Sequence, residues 1–284
     1  MKTSIIIATH ARPDSLKRLL GSLASQIDTS RREVFIAENG TAQPAQIRPG
    51  IVEHRHLHEP RAGKCRIQNR ALREAAGDIV VFLDDDLIVA PGYLDAVEAF
   101  FDSHREFAAM KGRILAAEDP ERIVGPMSVY LDLPIVDHGD EVCEVRGVLG
   151  ANMAFRASAL NAVGPFDERL GPGACGHEEE TEMSARLRRA GYRIGYAPAA
   201  LVYHDVDPAR ADRERFITVA RERGRCRMIH EDHSAFEVIS KNAIAIARLR
   251  FAHLIGASMA RIAREERRLA IARGMFDGLA VKVR

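Results

Sequence analysis

Three consecutive aspartates, Asp84, Asp85 and Asp86, close the apolar run "VVFLDDD". Carboxylates this close repel, and burying one without a partner is expensive. In an extended strand end, Asp84 and Asp86 point one way and Asp85 the other. Two carboxylates at i, i+2 can share a hard divalent cation, such as Mg²⁺, which takes one or two protein carboxylates plus substrate phosphates. A second acidic group, Glu178 to Glu182 in "GHEEETEMSARLRRAG", stands at a helix start. The helix dipole favours anions there, and an ionised carboxylate at an exposed site can serve as general base. His204 ends the stretch "YRIGYAPAALVYH". Its neutral imidazole becomes a metal ligand if the fold carries it to the aspartates. Each feature also has a plainer reading: a solvated acidic turn, first-turn acid enrichment, and a structural histidine.

The positioning elements follow from pattern. "SIIIA" (Ser4–Ala8) is a short β-branched run, expected as a buried strand. After the turn at Arg12 to Ser15, Leu16, Leu19, Leu20 and Leu23 repeat with helical spacing. "EVFIAENGT" predicts a second strand ending in an Asn-Gly turn, residues 63–78 a helix stopped at Gly77, and "DIVVFLD" a third strand. Residues 105–150 carry no clear pattern. "GVLGANMAFRASAL" predicts a strand passing into a helix. Then come a glycine-rich loop, "GPGACG", suited to close ligand approach or a moving lid, and an acidic helix ended by Gly191. Two short strands are expected around Pro198. Alternating strands and helices imply an α/β fold with a mixed, mainly parallel Rossmann-like sheet flanked by helices. Ligands bind beyond the carboxyl ends of such strands, where Thr9 to Arg12, Glu38 to Thr41 and Asp84 to Asp86 fall.

The 284 residues are 46% apolar and 29% charged, with a net charge of +1. That balance gives no global nucleic-acid signal. The charge is uneven: residues 205–284 hold 17 Lys and Arg against 11 Asp and Glu, a net +6, leaving −5 for residues 1–204. The expected organisation is a domain over 1–204, with halves at about 1–115 and 116–204, and a basic helical region over 205–284. Four scattered cysteines without a C-x-x-C suggest neither a zinc site nor a disulfide framework. The apolar stretch of "MKTSIIIATHARPDS" is short for a signal peptide, and no run reaches membrane-span length, so the expected location is cytoplasmic.

In order and spacing these motifs resemble a family 2 glycosyltransferase of the GT-A fold, from about residue 3 to 204. "SIIIATHARPDSLKRLLGSLASQ" is similar to the family's opening strand and helix. "FIAENGT" stands where the family has an Asp-containing strand end. "RAGKCRIQNRAL" resembles the "NxGxxxARNxG" segment, with Gly63 and Asn69 in place and Gln68 where an Arg is usual. "VVFLDDD" resembles the D-x-D segment, "GANMAFRASALNAVGPFDERL" the acceptor-side segment, and "EETEMSARLRRAGYRIGYAPAALVYH" the E-D motif helix and the strand ending in His.

The resemblance implies inverting transfer from a nucleoside-diphosphate sugar to an acceptor hydroxyl, in glycan, cell-surface polysaccharide or glycoconjugate synthesis. Ala8, Thr9, Arg12 and Glu38 would hold base and ribose, and Lys64 or Arg66 would lie near the phosphates. Asp84 and Asp85 would face the nucleotide sugar, and Asp86 and His204 would hold Mn²⁺ or Mg²⁺. Glu179 and Glu180 align with the Glu-Asp pair, Glu180 as general base, in a register uncertain by about one residue among Glu178–Glu182. Gly150, Ala151, Asn152 and Glu179 would meet the acceptor, a glycan, a lipid-linked molecule or a small molecule. Repulsion among the three aspartates is expected to persist until cation and diphosphate arrive. Two departures are the Glu at position 180 and the Glu at position 38, where the family has Asp.

Two alternatives stay open. A sugar-phosphate nucleotidyltransferase would carry a glycine-rich, Arg-containing loop after the first strand, which "ATHARPDS" lacks. A non-catalytic nucleotide- or glycan-binding protein would be indifferent to Glu180→Gln. In the C-terminal region, Ile244, Phe251, Ile255, Met259, Ile262 and Leu269 form one stripe on a helix over Asn242–Gly274, with Arg248, Arg250, Arg261, Arg264, Arg267 and Arg268 mainly elsewhere. The stripe either packs, on the domain or in a homodimer, or meets an anionic membrane, which would place the protein at the inner face. "RERGRCR" (Arg221–Arg227) is either a solvated face or a contact for an anionic acceptor.

Overall fold

The computed structural model describes residues 1–44 and 51–282. In chain order the elements are β1 (Thr3–Thr9), α1 (Pro13–Leu23), β2 (Arg32–Asn39), β3 (Arg55–Glu59), α2 (Lys64–Glu74), β4 (Ile79–Asp84), β5 (Leu87–Val89), α3 (Tyr93–Ser103), β6 (Phe107–Ala116), α4 (Pro120–Val124), β7 (Cys143–Val145), β8 (Asn152–Arg156), α5 (Ala157–Val163), α6 (Glu179–Arg189), β9 (Arg193–His204), α7 (Arg213–His230), α8 (Ala235–Leu254) and α9 (Met259–Lys282).

The chain divides into two compact units. The first comprises Met1–Ala117, Pro134–Glu168 and Glu179–Asp205. Among the described residues it holds one sheet in the order β3-β2-β1-β4-β8-β6-β9-β5, with β7 also on β9. The β3-β2-β1-β4 run is parallel, β8 enters antiparallel between β4 and β6, and β6 and β9 are parallel. This is the expected α/β fold. Strand parity sorts the core, because successive side chains take opposite faces. Ile5, Ile7, Val81 and Leu83 face α1 and α3, where Leu16, Leu20, Tyr93 and Val97 pack. Ile6, Val80 and Phe82 face α2, α5 and α6, where Ile67, Leu160 and Met183 pack. With both faces covered, the inner strands must be apolar throughout, which is why "SIIIA" and "IVVFL" read as strands.

Several expectations change. Helix α2 ends at Glu74, and Ala75 is extended. Gly77 is needed for another reason: a Cβ there would lie 2.5 Å from the Ser4 nitrogen. The segment around Pro198 is one strand, not two. β9 runs beside β6 throughout, but its pairing jumps from Gly112↔Ala197 to Arg113↔Leu201, so Pro198, Ala199 and Ala200 bulge out of the ladder. A proline is tolerated in a bulge because no ladder hydrogen bond is asked of its nitrogen.

The second unit comprises Glu118–Leu133, Arg169–Glu178 and Val206–Arg284. The glycine-rich loop and the segment around α4 thus group with the C-terminal helices. Cys175 and Cys226 form a disulfide, with Cα atoms 5.6 Å apart. The cysteine spacing suggests no disulfide framework, and this single bond is not legible in it: the loop bends Cys175 onto α7 across 51 residues. Gly171, Gly173 and Gly176 take positive φ in making that bend. Glu178, which ends the loop, also has positive φ and is buried, with its carboxylate 3.2 Å from Arg227 Nε on α7. The single helix expected over Asn242–Gly274 is two, α8 and α9, broken at Gly256 with φ +61°. Its stripe is split: Leu269 is buried, while Ile244, Phe251, Ile255 and Met259 are exposed. In "RERGRCR", Arg221 pairs with Asp277, Arg223 with Asp132 and Arg227 with Glu178, so these three are engaged within the unit.

Candidate active site

The site forms at the carboxyl ends of β1 and β4, where the parity of each strand decides what its last residues meet. Asp84 continues the Val80–Phe82 face and so turns toward α2. Lys64, the first residue of that helix, places Nζ 2.5 Å from Asp84 Oδ1 and 3.8 Å from Glu179 Oε1. Asp85 continues the Val81–Leu83 face and meets Thr9, the next residue of like parity on β1. Thr9 Oγ1 donates to Asp85 Oδ2 at 2.7 Å. Arg12, just before α1, donates from Nη1 to Asp85 Oδ1 at 3.1 Å and to Asp86 Oδ2 at 3.0 Å. Asp86 does not follow Asp84, as strand geometry alone predicts. β4 stops at Asp84, and the turn before β5 carries Asp86 to the side of Arg12 and His204.

Lys64, Thr9 and Arg12 offset part of the charge on the triple aspartate, while the charges of Asp86 and Asp84 still act against Asp85. Burial opposes the charge on Lys64, but Asp84 and then Glu179 outweigh it and hold the amine protonated, above its ordinary range. Burial likewise opposes the Arg12 charge, and Asp85 and Asp86 overcome it. Burial raises the Asp85 carboxyl, with the Thr9 bond and Arg12 opposing.

The acidic helix supplies the opposite wall. Glu179 and Glu180 open α6. A Cβ built on Gly150 would lie 3.5 Å from Lys64 Nζ, 3.9 Å from Glu179 Oε1 and 4.0 Å from Glu180 Cδ. Gly150 therefore sits where both glutamates and the lysine converge. Burial raises the Glu179 carboxyl well above the usual range, the Glu180 charge adds to this, and Lys64 opposes it. Glu180 is only half-buried. Lys111 of β6 is half-buried, and burial lowers its amine while the Glu180 charge resists. Sequence reasoning missed Lys111. Its signal was a lone cation inside the apolar strand "FAAMKG".

His204 ends β9 against β5, with Leu87 as its partner in register. Its Nδ1 lies 2.9 Å from the Asp205 carbonyl oxygen, a contact that requires the proton on Nδ1. Nε2 lies 3.4 Å from Asp86 Oδ1. An imidazole nitrogen and a carboxylate oxygen converging in this way suit a hard cation that brings further oxygens with its substrate. No group of three His, Cys, Asp or Glu placed for a metal occurs among the described residues. The pair therefore fits a cation shared with a diphosphate and does not amount to a closed protein cage.

The remaining expected residues scatter. Ala8 pairs in register with Asp84 and lies in the rim's floor. Glu38, next to last in β2, is buried, 2.8 Å from His56 Nε2 and accepting from Thr41 Oγ1 at 3.0 Å. Arg66 turns away: its Nε donates to Glu168 and its Nη1 to the Ala62 carbonyl. Ala151 belongs to the core. Asn152 is fully buried and is not brought to the site. Its Nδ2 donates to the carbonyls of Arg113 and Ala200, and its Oδ1 accepts from Tyr93. That clamp holds the β9 bulge, and a Cβ at Gly112 would lie 2.1 Å from Asn152 Nδ2.

The family model described as "Glycosyl transferase family 2" matches residues 4–161, more than half of the chain. The chain belongs to glycosyltransferase family 2. The match covers the triple aspartate, Lys64 and Gly150, while Glu179, Glu180 and His204 lie beyond it. Among curated relatives, the pre-mycofactocin glycosyltransferase of Mycobacterium tuberculosis is 28% identical over 214 residues, covering 71% of this chain and 42% of the relative. This chain thus spans less than half of that relative's length. The glucosyl-dolichyl phosphate glucuronosyltransferase of Haloferax volcanii is 21% identical over 222 residues, covering 72% of this chain and 69% of the relative. The mannosyltransferase PcManGT of Pyrobaculum calidifontis, solved with GDP-Man and Mn²⁺, shares the fold with a TM-score of 0.64 at 15% identity, covering 99% of this chain and 88% of that one. TarS of S. aureus, solved with UDP-GlcNAc, shares it with a TM-score of 0.56 at 16% identity, covering 98% and 92%. The family 2 chain therefore carries the GT-A fold.

Proposed function

We propose that the protein is an inverting hexosyltransferase that moves a sugar from a nucleoside diphosphate to an acceptor hydroxyl in glycan or glycoconjugate synthesis. The observation that carries this reading is the convergence of Lys64, Glu179 and Glu180 at Gly150, with Asp84 bound to the same lysine. Glu180 is the general base. It is less buried than Glu179, which burial and its neighbour bias toward the neutral form. Glu180 takes the acceptor proton as the acceptor oxygen bonds to the anomeric carbon. The bond from that carbon to the diphosphate oxygen breaks, and its electron pair leaves with the diphosphate. Attack opposite the leaving group inverts the centre. Lys64 holds Asp84 toward the donor and keeps Glu179 in place. Asp86 and His204 would hold Mn²⁺ or Mg²⁺, which when bound neutralises the diphosphate as it leaves. Glu38, with His56 and Thr41, lies at the strand end where a base or ribose would be read.

The test is a thermal-shift series with GDP and UDP, with and without Mn²⁺, followed by GDP-Man and UDP-GlcNAc, the donors bound in the two structural neighbours. A diphosphate that stabilises the protein more strongly with Mn²⁺ is the expected result. Absence of any shift with cation present refutes the reading. Glu180→Gln should keep nucleotide binding and lose turnover by about 10²- to 10⁴-fold. Unchanged behaviour in that variant would favour the non-catalytic alternative.

A further inference from the structure

Helix α8 is apolar on two opposite faces, and only one of them is covered. Val238, Ala245 and Ala252 are buried. They lie on the side packed against α9, where Ala245 meets Leu269 and Ala272, and Asn242 Nδ2 donates to the Ala272 carbonyl at 2.7 Å. The opposite side carries Phe236, Ile239, Ala243, Ala247, Phe251 and Leu254, all exposed. Their spacing, i, i+3, i+7, i+11, i+15 and i+18, makes one continuous stripe. Phe236 is 81% and Leu254 83% exposed. Large side chains left this open in a row mark an interaction surface.

The charge around the stripe is mainly positive: Glu237 beside Phe236 is the one acid on the helix, and it pairs with Lys241. Between Val238 and Ile262 the chain holds Lys241, Arg248, Arg250 and Arg261 and no acidic residue. Arg248, Arg250 and Arg261 make no ion pair among the described residues. Arg248 and Lys241 also rim an open cleft of about 310 Å³, with Arg227 and Arg268, over a floor that includes Ile271 and Met275. Cations ring an apolar floor here, beside an apolar stripe on the same helix.

We propose that this face of α8 lies in the interface of an anionic lipid bilayer. The stripe sinks below the headgroups, and Arg248, Arg250 and the cleft cations meet lipid phosphates. No described helix is long and apolar enough to cross a membrane, so the contact is in-plane. A second copy of this chain fits less well. A twofold interface puts a patch against itself, and Arg248 and Arg250 would then meet their own copies, with Glu237 as the one acid on the helix and already paired with Lys241. This goes beyond the donor chemistry, and its test uses no nucleotide.

The full chain is sedimented with vesicles of phosphatidylcholine alone or with about 30% phosphatidylglycerol, a composition that adds anionic surface potential. Binding to the anionic vesicles, weak binding to neutral ones, and loss with rising salt are expected. Arg248→Gln with Arg250→Gln should weaken anionic binding roughly 30-fold, at about a factor of five per basic residue. Phe251→Ser with Leu254→Ser should remove binding while lowering the melting temperature only slightly, since Leu254 is 83% and Phe251 54% exposed. Wild-type protein staying in the supernatant with anionic vesicles overturns the proposal. So does equal binding to neutral vesicles that ignores the arginine changes. A concentration-dependent dimer abolished by the Phe251/Leu254 change, without vesicle binding, assigns the face to a second copy instead.

Discussion

Lys64→Met removes the cation that contacts both Asp84 and Glu179. A pair of unit charges about 4 Å apart interacts by about 4 kcal/mol at the effective dielectric of a protein site. The Lys64–Glu179 separation of 3.8 Å is close to that case, and both groups are buried. The Asp84 contact is shorter, but its carboxylate is 28% exposed, so water screens it. Removing one partner of a buried pair costs about 3–5 kcal/mol. Glu179 limits the loss by taking a proton, since burial and Glu180 already favour its neutral form. We expect about 3 kcal/mol, or roughly 6–12 °C in melting temperature for a unit of this size. The double variant with Glu179→Gln should recover about 2 kcal/mol, because no buried charge is then stranded. Calorimetry of the full chain and both single variants closes the cycle. Additivity within about 0.5 kcal/mol would refute the claim that Lys64 and Glu179 are coupled.

Other consequences are as direct. Gln68 is fully buried on α2, with neither side-chain atom hydrogen-bonded. Gln68→Met should stabilise by about 1–2 kcal/mol in denaturant melts, since an unsatisfied amide is costly and the thioether matches its length; destabilisation would mean the amide has a partner. Reducing Cys175–Cys226 should cost about 4 kcal/mol by loop closure over 51 residues, seen as a lower melting transition that Cys226→Ser reproduces. Burial, and then Arg223, depress the His177 imidazole to about 4, against Asp132 and Glu178, with Glu222 also nearby. A depressed base binds its proton more readily when unfolded. Its stability contribution is therefore complete above pH 6.5 and lost as pH falls toward 4, by at most about 1.4 kcal/mol per pH unit and less for a partly exposed ring. His177→Gln should flatten melting temperature across that window, and an unchanged slope would assign the loss elsewhere.

The parts legible in the sequence were those set by local pattern. β1, α1, β4 and α6 each follow from a β-branched run or a helical repeat, and the fold class follows from their alternation. β3 escaped because "RHLHE" is an edge strand that buries only Leu57 fully, so no apolar run marks it. β9 looked broken because a proline bulge is invisible without its partner strand. The α8 stripe continued across Gly256, which hid the turn. At the site, residue types were legible and pairings were not. Asp85 and Arg12 are 73 positions apart, and only the adjacency of β1 and β4 makes them partners. Asn152 misled for the same reason, since its neighbours in the motif point to an acceptor and its neighbours in space are carbonyls.

Lys64, Arg12 and Lys111 stand against Asp84, Asp85, Asp86, Glu179 and Glu180, so the pocket keeps a formal excess of negative charge even after its internal pairings. A diphosphate is an anion as well, and this pocket should receive it poorly alone. Whatever factor a divalent cation adds to donor affinity, the donor must add to cation affinity, because the two share one thermodynamic cycle. Neither constant measured alone would then describe the site. Donor affinity titrated across cation concentrations would yield one coupling factor, readable from either axis.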